Sequence, residues 1–286
     1  MTMTAEVVRV RVPERTIRHD VRAVKIVLHR ELLRFVSDRT RILSSLVQPV
    51  LWLLVLGTGL SALVPSGPGG VDLRTFMFPG ILAMTVMFTA MFSAASIVWD
   101  REFGFLREML VAPVSRASIV VGKCLGGALV ATAQGVVILA MAGLVGVPYS
   151  PSLLLSLVAM MLLGSFAITA FGVALAAGIK NMQSFFGLMQ MAMMPMLFLS
   201  GALFPLSSLP AWLGLLTRIN PLTYAVDPMR QLVFAHLRVD PRVEAAFNPG
   251  VTWGDWRVPV GVEVVMVVVM AFALLGLAIL RFRRTE

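Results

Sequence analysis

The sequence predicts an all-α integral membrane protein of six transmembrane helices, with an amphipathic helix on the membrane interface before them and a re-entrant helical hairpin on the outer side. Three observations predict it. The 286 residues are 58% hydrophobic with a mean hydropathy of +0.88, too apolar for a chain whose surface must meet water. Only 14% are charged, and these cluster, leaving charge-free runs at 42–71, 75–99, 124–179, 181–217 and 264–280. The Lys and Arg residues lie mostly beside the runs, on one predicted side of the membrane.

A hydrocarbon core of about 30 Å needs roughly 20 apolar residues per helix. Span one is placed at about 42–64 and span two at 75–99, with the Ser66–Gly70 turn between them. The run 124–179 is too long for one helix and is broken at Gly146-Val147-Pro148-Tyr149-Ser150-Pro151, giving spans three (124–147) and four (152–179). The last span covers 258–280 and carries Glu263 near its outer end, read as an interfacial acid.

The 37-residue run Asn181–Thr217 is the awkward one. As a single helix it would measure about 55 Å, and two spans with a turn need more than it has. Pro205 and Pro210 interrupt it. Arginine-rich segments at both ends call for the same side, so the number of crossings is even. One span at 181–205 therefore makes six, and 206–257 holds short helices that dip into the outer leaflet, with their backbone buried against protein. Inside segments then carry 18 Lys/Arg and outside segments six. The expected layout is a cytoplasmic N-terminus with its interfacial helix (1–41), the membrane domain (42–280) and a cytoplasmic tail (281–286).

Before span one, Ile17, Val21, Val24, Leu28, Leu32 and Phe35 recur at helical spacing among Arg18, Arg22, Lys25, Arg30 and Arg34. That pattern suits a helix lying at anionic headgroups. Charge clusters next to spans have this simpler cause, so the net charge of +9 does not signal nucleic acid. A single cysteine, Cys124, excludes an internal disulfide, and some forty Arg-rich residues before the first apolar run speak against a cleaved signal peptide.

Catalytic chemistry is sparse. His19, His29 and His236 fall outside the confident spans, and no HExxH, GxSxG or GxxxxGK[ST] occurs, so the chain has no metal or catalytic motif and cannot itself cradle ATP phosphates. An ion-coupled carrier would place ionisable groups at mid-membrane, and Glu263 is the only acid in any predicted span. Direct ion coupling is thereby disfavoured, and either the energy comes from elsewhere or the protein is passive. The cytoplasmic segment 100–118, DREFGFLREMLVAPVSRAS, reads as a short helix with Phe105, Met109 and Ala112 on one side and Leu106 and Leu110 beside them, stopped by Pro113. Such a helix fits a groove on a cytosolic partner.

That segment resembles a stretch of the type-2 ABC-transporter permeases, which include daunorubicin-resistance-type exporters. Three further pieces agree in order: Arg30–Phe35; Leu199–Pro205 with Leu209, Pro210 and Trp212; and Asn220–Tyr224 with Asp227 and Arg230. The resemblance implies a permease subunit of an ATP-driven exporter in the bacterial plasma membrane. It implies a dimer with a second permease, and two cytosolic ATPase subunits that bind ATP and Mg. It assigns 100–118 as the coupling helix, with Glu102, Gly104, Phe105, Leu106, Arg107, Glu108, Leu110 and Pro113 as contacts, and Gly104 permitting close backbone approach. The acid at Glu108 stands one place later than in many relatives. Pro205, Pro210, Trp212, Asn220, Pro221, Tyr224 and Asp227 form the outer re-entrant motif.

Small residues along span four (Gly164, Ala167, Ala170, Ala174, Gly178) suit close helix packing, and Met189, Met193 and Met196 in span five are candidates to line a flexible apolar path. The expected cargo is a lipophilic or amphipathic drug, lipid or metabolite. The alternatives are a glycan-lipid exporter, disfavoured by two Tyr and five Trp placed mostly outside the confident spans, and a membrane scaffold that moves nothing.

Overall fold

The computed structural model describes residues 16–57, 59, 73–106, 109, 114–203, 206, 210–237, 250–253 and 256–285. The predicted Ser66–Gly70 turn, Pro205, and the contacts Arg107, Glu108, Leu110 and Pro113 lie outside them. Nine helices are described: α1 Ile17–Ser37, α2 Arg39–Leu51, α3 Leu73–Glu102, α4 Arg116–Leu139, α5 Pro151–Ala176, α6 Met182–Phe198, α7 Ala211–Ile219, α8 Thr223–Ala235 and α9 Val260–Thr285. A two-residue antiparallel pair, β1 Thr252–Trp253 and β2 Trp256–Arg257, interrupts the otherwise helical chain before α9.

Four of these helices, α3, α4, α5 and α9, are long and apolar enough to cross a bilayer. The other two predicted spans are shorter where described. α2 is apolar from Ile42, and continues as a π-helical turn, Trp52–Leu56, just after Pro49 removes a helical N–H. α6 has 17 residues, about 26 Å, and ends in a turn where Gly201 adopts φ +75°.

Span three starts earlier than expected. Helix α4 begins at Arg116, capped by Ser115, whose Oγ accepts the Ser118 N–H at 2.9 Å, so Arg116 and Lys123 lie within the helix instead of before it. Treating a charge as a boundary fails here because Lys123 is neutralised inside the protein.

α3 is the axis of the molecule, packed against α4, α5, α6 and α8, and 89% of its most apolar stretch is buried, against 22% for α9. The α5 glycines and alanines do allow close packing: a Cβ on Gly164 would stand 2.9 Å from the Ala225 Cβ of α8, whereas Gly178 faces nothing within 4 Å.

α1 docks on α4 through residues outside its apolar stripe. Ala23, Val27 and Glu31 are its buried residues, while Ile17 and Val21 are exposed. The cause lies on α4. A Cβ on Gly122 would meet Val27 at 2.9 Å and one on Gly126 would meet Glu31 at 2.8 Å, so only a glycine surface lets the two helices approach this closely.

Candidate functional site: a charged knot at the end of helix α3

The apolar run of α3 ends in Asp100-Arg101-Glu102. Consecutive helical residues point about 100° apart, so the three side chains reach three different neighbours.

Asp100 turns toward α1 and α4. Its Oδ2 accepts from Lys123 Nζ at 2.5 Å, its Oδ1 accepts from Arg30, and Arg34 stands 4.0 Å away. Lys123 also donates to Glu31 Oε1 at 2.6 Å and to Ser96 Oγ at 2.9 Å. All three ammonium protons therefore find acceptors. The Asp100 and Lys123 side chains are each 2% exposed. Arg30 and Lys123 balance Glu31 and Asp100, the condition under which buried charges are tolerable.

Arg101 turns toward the end of α5. Its guanidinium donates to the Ala176, Ala177 and Ile179 carbonyls at 3.2, 3.0 and 2.5 Å. A helix C-terminus presents orphan carbonyls and partial negative charge, which a cation satisfies. Glu102 does the converse at the start of α6, where its Oε2 accepts the Met182 N–H at 3.0 Å. Asn181 completes that terminus by accepting from Ser184 N at 2.8 Å. One turn of α3 thus holds α1, α4 and both sides of the α5–α6 connection.

The chain leaves this knot through Gly104. No atom would lie within 4 Å of a Cβ there, but its φ is +83°. Within this chain, then, Gly104 serves a left-handed backbone turn just after the helix. Phe103 and Phe105 project outward, 59% and 50% exposed, while Leu106 is buried and Met109 packs against the core. The apolar side expected for the segment is therefore split between solvent and core. At the far end of the segment the Ser115 N–H donates to Asp20 of α1 at 2.9 Å.

The outer-motif residues gather at the opposite end of α3. Asn220 donates to the Met196 carbonyl at 2.8 Å and accepts the Leu222 N–H at 3.0 Å; Thr223 donates to the Leu199 carbonyl at 3.1 Å. Tyr224 is buried and donates to the Arg218 carbonyl at 2.9 Å. Arg230 donates to the Gly201 carbonyl and lies 4.3 Å from the Phe76 ring centre. Pro210 precedes α7, whose Trp212 is exposed, and Pro221 is buried.

Asp227 accepts from Gln231 at 2.7 Å and from the Val251 N–H at 3.2 Å. Glu263 is 0% exposed, covered beside Asp227 of α8. Its polar neighbours are the Asp227 carboxyl and Arg257, and neither of its oxygens finds a donor at hydrogen-bond distance among the described residues.

Met189 and Met193 are buried in the core and Met196 packs against it. Sequence reasoning missed Arg30, Glu31, Arg34, Asp100 and Lys123 as site residues. A signal existed: Glu31 is the lone acid in the Ala23–Val27–Glu31 stripe, and Lys123 stands between Gly122 and Gly126.

A sequence profile of the ABC-2 type transporter family matches residues 22–234, from α1 into α8. The chain is 33% identical over 199 residues to ycf38 of Cyanophora paradoxa, described as a transport permease, covering 67% of each chain. It is 30% identical over 172 residues to YbhR of Escherichia coli K12, described as a multidrug ABC transporter permease, covering 59% of this chain and 46% of that one. It is 30% identical over 201 residues to nodulation protein J of Rhizobium leguminosarum bv. trifolii, covering 70% and 76%.

Proposed function

We propose a function on the premise that this chain belongs to the ABC-2 type transporter family, as a multi-pass transmembrane permease subunit. It is the membrane half of an ATP-driven exporter in a bacterial plasma membrane, with six crossings and both termini in the cytosol. A second permease subunit completes the pathway, and two copies of a separate ATPase, which bind ATP and Mg, dock beneath. The cargo is a lipophilic or amphipathic molecule.

The observation that carries this reading is the Asp100-Arg101-Glu102 knot. The exposed Phe103 and Phe105 follow directly on three residues that hold α1, α4, α5 and α6. A displacement applied to those aromatics by a closing ATPase reaches four helices through hydrogen bonds and ion pairs, without an intervening loop. Apolar side chains on a short projecting segment are what a groove on a cytosolic partner binds.

The test is co-reconstitution with a candidate ABC ATPase from the same source. Glu102→Ala and Gly104→Val should each lower ATP-driven cargo movement by about tenfold, equivalent to about 1.4 kcal/mol of lost coupling, with the complex still assembled on size exclusion. Undiminished transport in both variants would remove the coupling role. ATP hydrolysis without any cargo movement by the wild-type complex would favour a scaffold instead.

A further inference from the structure

A cavity of about 600 Å³ opens beside the knot, between α1, α2, α3 and α6. One wall is aromatic, with Phe88, Phe92 and Phe186 facing it and the Phe92 and Phe186 ring centres 5.9 Å apart. The other wall is polar and shares residues with the knot: Glu31 and Ser96, both bonded to Lys123, and Arg34, which lies over the Trp99 ring at 5.7 Å. From Trp99 to Phe88 the α3 wall runs about 16 Å. The volume falls in the range of about 300–1,000 Å³ usual for ligand sites, and an apolar body with a few polar groups at one end is their usual lining.

We infer that this cavity binds a single amphipathic molecule, its apolar body among Phe88, Phe92 and Phe186 and a singly charged phosphodiester or carboxylate head on Arg34. The charges select the head. Lys123 spends its protons on Glu31, Ser96 and Asp100, so the Glu31 carboxylate is neutralised where it meets the cavity. Arg34 reaches Asp100 only at 4.0 Å, while Arg30 holds that oxygen more closely. A guanidinium so placed has edge donors for an anionic oxygen while its face rests on Trp99.

Because Glu31, Arg34 and Ser96 belong to both cavity and knot, occupancy and the position of the Asp100 turn are linked. The inference rests on the permease reading for what the occupant is used for. A resident bilayer phospholipid and an exported cargo share the required chemistry.

The experiment uses the full-length chain in nanodiscs, photolabelled with a lysophosphatidylglycerol that carries a diazirine on its acyl chain, and peptide mass spectrometry. Label should fall on the α3 and α6 segments around Phe92 and Phe186, and unlabelled lysophosphatidylglycerol should compete. Dodecyltrimethylammonium should not compete. Arg34→Gln and the cavity-filling Phe186→Trp should each cut specific labelling about tenfold, the loss of one charge-assisted contact or of the apolar seat, and Arg34→Lys should restore most of it.

Equal labelling in wild type, Arg34→Gln and Phe186→Trp, or label spread along lipid-facing α9, would overturn the site. So would competition by the cationic amphipath alone. With the ATPase added, label lost on ATP-vanadate trapping identifies transported cargo, and label retained identifies a resident lipid; both place an amphipath in the cavity. Labelling of the isolated permease needs no ATP, so failure of the export reading leaves a distinct result.

Discussion

The two ends of helix α3 are held by different physics. At the basic end, Asp100, Arg101 and Glu102 reach out on side chains to Lys123, to the α5 carbonyls and to the α6 N-terminus. At the hairpin end, side-chain bonds from Asn220, Thr223 and Arg230 are joined by direct approach of one backbone to another. A Cβ on Gly80 would stand 2.0 Å from the Ala202 carbonyl oxygen, and Thr75 donates to the Val145 carbonyl at 2.7 Å. Flexible charged arms allow exchange of partners with little change in backbone. Backbone-to-backbone contact does not, because packed interiors shift between discrete arrangements and do not stretch. We expect the basic end to move and the Gly80–Ala202 contact to act as a fixed pivot.

The comparison can be broken first at Lys123. Lys123→Met leaves Glu31 and Asp100 buried without their shared cation, and should cost about 3–5 kcal/mol, read as a large fall in the detergent melting temperature. Adding Glu31→Gln should recover part of the loss, and no recovery would mean that packing, not charge, dominates there. Second is Gly80→Ala at the pivot. Its methyl must displace backbone, so about 1–3 kcal/mol of overpacking cost is expected, together with loss of protection from hydrogen exchange in α7 and α8. Unchanged protection would show that the pivot is not rigid.

Arg101→Gln sharpens the contrast. It removes a cation from the α5 C-terminus while keeping N–H donors, so about 1 kcal/mol of stability is expected to go. Transport should fall more than stability does. The smallest effect is expected from Glu263→Gln. Its oxygens lack a donor and face Asp227, so an amide that donates to Asp227 should leave the melting temperature unchanged or raise it by a few degrees, by about 0.5–1 kcal/mol. A marked loss would give Glu263 a role that its surroundings do not suggest.

Much of the layout was legible in the sequence, and the limits are instructive. The helices α3, α5 and α9 follow their charge-free runs closely, because a bilayer constrains each segment separately. The short helices after Pro210 were legible from proline and charge parity. The start of α4 was not, since the same rule that finds spans treats Lys123 as a stop. The segment 100–118 was legible as a break between two apolar helices, but not which of its residues bind the bundle. Glu102 and Gly104 keep roles there, but the residues that bind the segment to the bundle are Asp100 and Arg101.

The sequence by itself determined that this chain crosses a membrane, where its long apolar helices run and which segments carry its charge. These are local properties, set by the length and polarity of one stretch at a time. Tertiary structure alone decided which charges are pairs. Lys123 and Glu31 are 92 positions apart, and Arg101 lies 78 from Ile179. No local pattern ties such residues together. They meet because Gly122 and Gly126 admit α1 to within van der Waals contact of α4, and because α3 ends level with the α5–α6 turn. Burial then makes each unpaired charge so costly that only a balanced network is tolerated.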